Sequence, residues 1–378
     1  MKELSVPFNK PYFTGKEMEY IRRVFSEGSI SGGGPFAQKC QELLGHQLGA
    51  LKVILTTSCT HALEISSLLL DVQPQDEIIM PSFTYVSTVN SYVLRGARPV
   101  FIDIRPDTLN MDESLLEGSI TPRTKAILPV HYAGTGCEMD AISGIASRYG
   151  IPVVEDNAHG VFGKYKGKYL GTLGCLGALS FHGTKHLTCG EGGALIINDS
   201  RYIDRSEVIC EKGTDRARFI RGETDSYTWV DIGSSYMPSD ILAAFLYAQL
   251  EESECIIAER RRSWYYYLEH IKDWASNNGI HLHSAPSYCE HTFHMFYLLM
   301  GSRFQRDRLM SHLEGRGIGS AFHFQPLHLS KMARLRGWDD VECPVTEDAS
   351  ARLLRLPLYN GLTETEQNKV IDALLEFV

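Results

Sequence analysis

Ile151-Pro152-Val153-Val154-Glu155-Asp156-Asn157-Ala158-His159 is an apolar run that stops on two acids and a polar turn. A strand buried on both faces of a parallel sheet reads as such a run. In open α/β sheets, ligands bind beyond the carboxyl ends of the strands, and Asp156 stands at that end. A turn or cap aspartate is the plain alternative. Side chains alternate along a strand, so Glu155 and Asp156 point to opposite faces and only one can meet a ligand.

The same texture extends in both directions. Lys52–Leu55, Glu77–Met80, Pro99–Ile104, Ala126–His131, Leu176–Phe181 and Ala194–Asn198 read as further strands, separated by helical patterns. Ala62, Ile65, Leu69 and Val72 recur at helical spacing, which puts Ser58-Cys59-Thr60 where a helix begins. Strands alternating with helices predict an α/β fold with a largely parallel sheet. From about residue 240 the pattern changes. Asp240–Arg262 reads as one long helix, followed by strand candidates at His294–Met300 and Gly319–Phe324 and a short terminal helix after Pro357-Leu358-Tyr359. At 378 residues two domains are expected. The division falls near residue 250, giving a large domain over 1–250 and a small one over 251–378.

Lys185, in Ser180-Phe181-His182-Gly183-Thr184-Lys185-His186, lies in a polar, glycine-rich turn between two of these apolar strands. A lysine can hold an aldehyde cofactor covalently, and a carboxylate at a strand end can keep a pyridine nitrogen protonated. Lys185 and Asp156 together therefore point to pyridoxal 5'-phosphate (PLP). The N-terminus of the helix at Ser58 offers free N–H groups and a positive dipole end for the phosphate. Alone, that segment is only a capped helix.

Composition excludes several classes. A net charge of −9 argues against a general nucleic-acid or membrane-surface binder. No apolar run approaches the ~20 residues that span a bilayer. The opening residues carry no signal-peptide core, so a cytoplasmic protein is expected. Nine cysteines occur singly without a CxxC, and the fourteen histidines show no metal spacing, so no metal is expected. Lys212, Arg216, Arg218 and Arg221, with Trp229 beyond them, form a basic run that could meet a nucleotide diphosphate or be a solvated loop.

Pro81-Ser82-Phe83-Thr84-Tyr85-Val86-Ser87-Thr88, Glu155-Asp156-Asn157-Ala158-His159-Gly160, Ser180–Lys185 and Gly190-Glu191-Gly192-Gly193 together resemble the DegT/DnrJ/EryC1/StrS family of PLP-dependent sugar aminotransferases. The likeness runs in order from Pro7-Phe8 to Leu356-Pro357-Leu358. It implies fold type I: a large domain with a mostly parallel seven-stranded sheet between helices, and a smaller C-terminal α+β domain. It also implies that Lys185 carries the cofactor and Asp156 pairs with its ring nitrogen. Tyr85 would stack on the ring, and His159 would lie near it. Ser58, Cys59, Thr60 and Ser180 would hold the phosphate, and His328 would approach the sugar. Arg105-Pro106-Asp107-Thr108, Val130-His131-Tyr132-Ala133-Gly134 and Asp231-Ile232-Gly233-Ser234-Ser235-Tyr236 point to one branch of the family. That branch implies transfer from L-glutamate, released as 2-oxoglutarate, to a dTDP-linked 4-keto-6-deoxy sugar in a homodimer with shared sites. Another nucleotide-linked keto sugar stays open as the acceptor, and a non-catalytic regulator is the remote alternative. Many members carry Gly-x-Asn-x-Arg-Met, whose Asn reaches the partner subunit's phosphate. This chain has Gly233-Ser234-Ser235-Tyr236-Met237, which leaves Ser235 for that contact. The intact Lys185 separates the chain from dehydratase relatives with a histidine there.

Overall fold

The computed structural model describes residues 4–377. Its main sheet is built from β1 (Lys52–Thr56), β2 (Glu77–Pro81), β3 (Arg98–Ile102), β4 (Thr124–Ile127), β5 (Val154–Asn157), β6 (Leu176–Ser180) and β7 (Gly193–Ile197). Strands β3-β2-β4 and β5-β6-β7-β1 form two hydrogen-bonded sets. Parallel bridges Ile127 to Val153 and Val130 to Asp156 join them into one seven-stranded sheet. Only β7 runs against its neighbours, pairing antiparallel with β1 and β6.

Both faces of the sheet are buried, which is why its strands read as continuous apolar runs. In β1, Ile54 enters a core formed with helix Cys59–Leu69, while Val53 and Leu55 enter one formed with helices Pro35–Leu48 and Asp240–Glu251. The parallel strands bring the ends of β1, β2, β5 and β6 to one edge. Strand β7 starts at that edge. A Cβ on Gly193 would fall 2.3 Å from the Ser58 carbonyl carbon and 2.4 Å from the Cys59 nitrogen. Glycine there lets the strand abut the start of the helix.

The C-terminal region has its own three-stranded antiparallel sheet of His281–Leu282, Phe296–Leu299 and Leu353–Leu356. Trp264, Tyr267, Phe296, Leu354 and Val370 fill a separate core around it. The terminal helix Glu364–Leu375 begins on a capping box made by Thr363 and Glu366.

Two expected elements differ. The helix expected over 240–262 is two helices, Asp240–Glu251 and Ser253–Asn277, broken at Glu252 (φ −103°, ψ 13°). Apolar periodicity carries across that break without glycine or proline, so the pattern conceals it. Gly319–Phe324 is not a strand. It holds one antiparallel bridge, Ala321 to Arg355, and the stretch beyond it runs to the mouth of a cavity. No helix among the described residues is long and apolar enough to cross a membrane.

Candidate active site

A cavity of about 420 Å³ opens at the edge where these strands end. Its floor is the start of helix Cys59–Leu69. Ser58 caps that helix, its Oγ accepting from the His61 N–H at 3.1 Å. Cys59 and Thr60 line the cavity, and the Thr60 hydroxyl donates to Ser87 Oγ at 2.8 Å. Ser180, at the end of β6, completes this polar end.

Asp156 is 5% exposed and lines the same cavity. One carboxylate oxygen accepts from the Thr88 hydroxyl at 2.7 Å, the other from the Ala158 N–H at 3.1 Å. Because Thr88 spends its proton on Asp156, the Thr84 hydroxyl 2.8 Å away donates to Thr88 in turn. Burial raises the Asp156 carboxyl above its ordinary range, opposed by the Thr88 and Ala158 hydrogen bonds and by the charge of Lys185. Glu155 faces the other way and is fully occupied. It accepts from the N–H groups of Gly171 (2.8 Å), Leu173 (2.6 Å) and Gly174 (2.6 Å) and pairs with His131 Nε2 at 2.8 Å. Asp156 is therefore the carboxylate offered to a ligand.

Lys185 is half-buried in the wall. Burial pulls its amine down to about 8, Cys59 and Asp156 oppose the shift, and Arg355 adds to it. Flat rings form another part of the cavity's lining. His159 stacks on His294 (4.6 Å, 26°) and lies nearly parallel to His323 (16°) and Phe324 (10°). Its Nδ1 accepts from the Ala133 N–H at 3.3 Å, and burial holds the ring neutral, well below the usual histidine range. Tyr85 precedes helix Val86–Val93, lines the cavity and is 60% exposed as a residue, leaving it free to cover a planar ligand.

Ser58, Cys59, Thr60, Tyr85, Asp156, His159, Ser180 and Lys185 are thus brought together. Four other expected residues are not. His328 is fully buried outside the cavity, with Nδ1 on Ser82 Oγ at 2.6 Å and Nε2 on Glu347 at 3.2 Å, so both ring nitrogens are engaged. Arg218 pairs with Glu223, and Arg221 with both Glu223 and Glu207, so acids on either side of the basic run hold these arginines, which do not line the cavity of their own chain. Ser235 is exposed and bridges Glu211 through its backbone, also outside that cavity. Residues missed in the sequence are Thr88, His323 and Phe324, which line the cavity, and Arg355, which donates to His323. Only Thr88 carried a signal, as the polar residue one helical turn beyond Thr84.

The arrangement fits one cofactor. A buried carboxylate with spare lone pairs, a depressed lysine, a helix N-terminus and flat rings converge on one cavity, defining a PLP-dependent enzyme of fold type I. The chain belongs to the DegT/DnrJ/EryC1/StrS aminotransferase family, whose sequence model matches residues 11–375. It is a PLP-dependent transaminase. Among solved structures it is similar to the aminotransferase TlmJ from Streptoalloteichus hindustanus, with 27% identity over 99% of this chain and 98% of that one, TM-score 0.89. A DegT DnrJ EryC1 StrS aminotransferase from Brucella abortus shares 30% identity over 95% of this chain and 94% of that one, TM-score 0.85. Spr1654 from Streptococcus pneumoniae, in its PLP form, shares 25% identity over 98% of this chain and 97% of that one, TM-score 0.89.

Proposed function

We propose that this aminotransferase moves the amino group of L-glutamate to C4 of a nucleotide-linked 4-keto-6-deoxyhexose. The acceptor is dTDP-4-keto-6-deoxy-D-glucose and the product dTDP-4-amino-4,6-dideoxy-D-galactose. The observation that carries the chemistry is the convergence of Lys185 and Asp156 on one cavity with the N-terminus of helix Cys59–Leu69. The acceptor rests on sequence likeness in Arg105–Thr108, Val130–Gly134 and Asp231–Tyr236.

When bound, PLP supplies an aldehyde carbon to receive the amino group and a ring that takes up an electron pair. Asp156 would accept from the protonated ring nitrogen and keep it protonated, with Thr88 fixing the carboxylate. Lys185 holds the cofactor at rest. Once displaced by the donor, its Nζ would take the proton from the amino-bearing carbon and return it to the former aldehyde carbon on the other side of the nitrogen. Ser58, Cys59, Thr60 and Ser180 bind the phosphate. Tyr85 would stack on the ring and His159 would lie near it.

A homodimer with shared sites fits the surface. Val86, Leu94 (71% exposed), Trp229 (77% exposed), Val230 and Ile232 are large apolar side chains left in solvent, and a second copy would cover them. Ser235, Arg218 and Arg221 belong to the same stretch as Trp229 and would serve the partner's cavity, with Arg218 and Arg221 meeting the diphosphate. The reading also places the domain division near residue 250, the enzyme in the cytoplasm and its product in surface polysaccharide synthesis.

Incubating the holoenzyme with L-glutamate and a panel of keto sugars tests the proposal. Turnover of dTDP-4-keto-6-deoxy-D-glucose to the 4-amino-galactose product is expected. Turnover confined to a 3-keto sugar, or to UDP- or GDP-linked sugars, would replace the acceptor.

A further inference from the structure

His159 is held by three contacts from two distant parts of the chain. Its Nδ1 accepts from the Ala133 N–H at 3.3 Å, its carbonyl accepts from the Thr292 hydroxyl at 2.7 Å, and its ring stacks on His294 with centroids 4.6 Å apart. Gly134 makes room for the second contact. At its φ of 81°, a Cβ would fall 2.0 Å from Thr292 Oγ1 and 2.8 Å from the His159 carbonyl oxygen. Two of the three contacts thus belong to Thr292-Phe293-His294, none of whose residues lines the cavity.

That segment is strained and clamped. Phe293 sits at φ 53°, a left-handed conformation that a bulky side chain keeps only where its surroundings over-determine it. Arg260, on helix Ser253–Asn277 and 3% exposed, supplies the constraint. Its Nε donates to the Phe293 carbonyl at 3.0 Å and its Nη2 to the His294 carbonyl at 2.7 Å. Those carbonyls belong to the two peptide groups that flank His294, so one planar fork fixes both sides of that residue. The Leu358 carbonyl at 3.1 Å and Asn360 Oδ1 at 3.4 Å complete the set, and Asn360 Nδ2 donates in turn to the Ile256 carbonyl at 2.8 Å. All four acceptors of Arg260 are uncharged oxygens, three of them main-chain, so its buried charge serves to hold backbone in place.

His294 contributes a face and little else. It is 4% exposed, its Nδ1 is buried without a partner, and its side chain makes no hydrogen bond among the described residues. Burial keeps the ring neutral, well below the usual histidine range. A buried nitrogen left unpaired costs stability, so what the ring offers here is its shape.

We propose that His294, set by Arg260, is a positioning residue for aminotransfer: its face holds the His159 ring at the angle at which that ring meets the cofactor. The inference rests on His159 lying beside the cofactor and is independent of which sugar is the acceptor. A flat partner resists tilting of a stacked ring, whereas a branched aliphatic chain fills the same space without that face.

The test follows the lysine-linked cofactor band of PLP-loaded protein, alone and through a single turnover with L-glutamate. In His294→Leu the band maximum should move. The half-saturating PLP concentration of the cofactor-free protein should rise about 3- to 10-fold, and the limiting rate with glutamate should fall by a similar factor. The half-saturating glutamate concentration and the melting temperature should stay near the parent's, since no hydrogen bond is lost. His294→Phe, which restores a flat ring, should return band and limiting rate towards the parent's. Arg260→Lys keeps the charge but loses the fork, and should reproduce the His294→Leu band. The double variant should be no slower than the slower single, because both act through one ring. An unmoved band and rate in His294→Leu would overturn the proposal. So would equal losses in His294→Leu and His294→Phe that track melting temperature, the mark of a side chain that only fills the core. Should His294→Leu fail to fold, Thr292→Val decides the matter. Losing the 2.7 Å bond to the His159 carbonyl should move the same band, and an unmoved band would overturn the positioning of His159 by this segment. His159→Ala tests the placement of His159 itself. No change of band in that variant would remove His159 from the cofactor and the inference with it, whereas a change there with none in His294→Leu would overturn the inference alone.

Discussion

Raising the pH of the cofactor-free enzyme should switch on capture of PLP well before an ordinary lysine could react. Only the neutral amine attacks an aldehyde. Lys185 is pulled from 10.5 to about 8, first by burial. At pH 7 about one amine in ten is then neutral, against roughly one in 3,000 for an unperturbed lysine, a gain of about 300-fold. The observed rate constant, followed by stopped-flow absorbance, should rise with pH and level off above about 8. The stability sign follows. A depressed lysine penalises the cofactor-free fold fully below about 8, and the penalty is relieved as pH rises towards the unfolded value of 10.5. Melting temperature should therefore gain a rising component in that window that Lys185→Met loses. Asp156 favours the ammonium, so Asp156→Asn should move the midpoint lower still. A capture rate still climbing at about pH 10 would refute the reasoning.

Four further outcomes follow from the same contacts. Lys185→Ala should abolish the borohydride-fixed cofactor link, checked by mass spectrometry of the reduced protein. Asp156→Asn should fold and bind PLP but lose transamination by roughly two orders of magnitude or more, since a neutral amide cannot hold the ring proton. Thr88→Val removes the 2.7 Å bond to that carboxylate and should weaken turnover by about 1–3 kcal/mol in barrier with PLP still bound, read from kcat. Glu155→Gln keeps one accepting oxygen but sets an amide NH2 against either the Leu173 and Gly174 N–H groups or the Gly171 N–H and His131, and should cost about 3–5 kcal/mol, read as denaturant midpoint.

Much of the large sheet was legible because a strand covered on both faces leaves an apolar run ending where the ligand lies. The strand end and the family resemblance singled out Asp156, alternation adding that Glu155 faces the other way, and the helix start at Ser58 announced itself by its cap. Legibility failed where tertiary packing decides. His323 and Phe324 reach the cavity, with Arg355 donating to His323 from behind, only because the chain from Ile318 is tied to Val6 and to strand Leu353–Leu356, contacts no local pattern encodes. The basic run at Arg216–Arg221 looked like an anion site, but the acids that flank it, Glu207, Glu211 and Glu223, pair with its arginines once the segment folds. His328 looked available for the same reason, its two partners Ser82 and Glu347 being distant in sequence or on another helix.

The most direct measurement is an absorbance titration of the PLP-loaded protein, with L-glutamate added first and dTDP-4-keto-6-deoxy-D-glucose second. The resting cofactor band should disappear with glutamate and return with the sugar. A protein that shows no lysine-linked band, or a band that glutamate leaves untouched, would contradict the assignment of Lys185 and Asp156 as the centre of an aminotransferase.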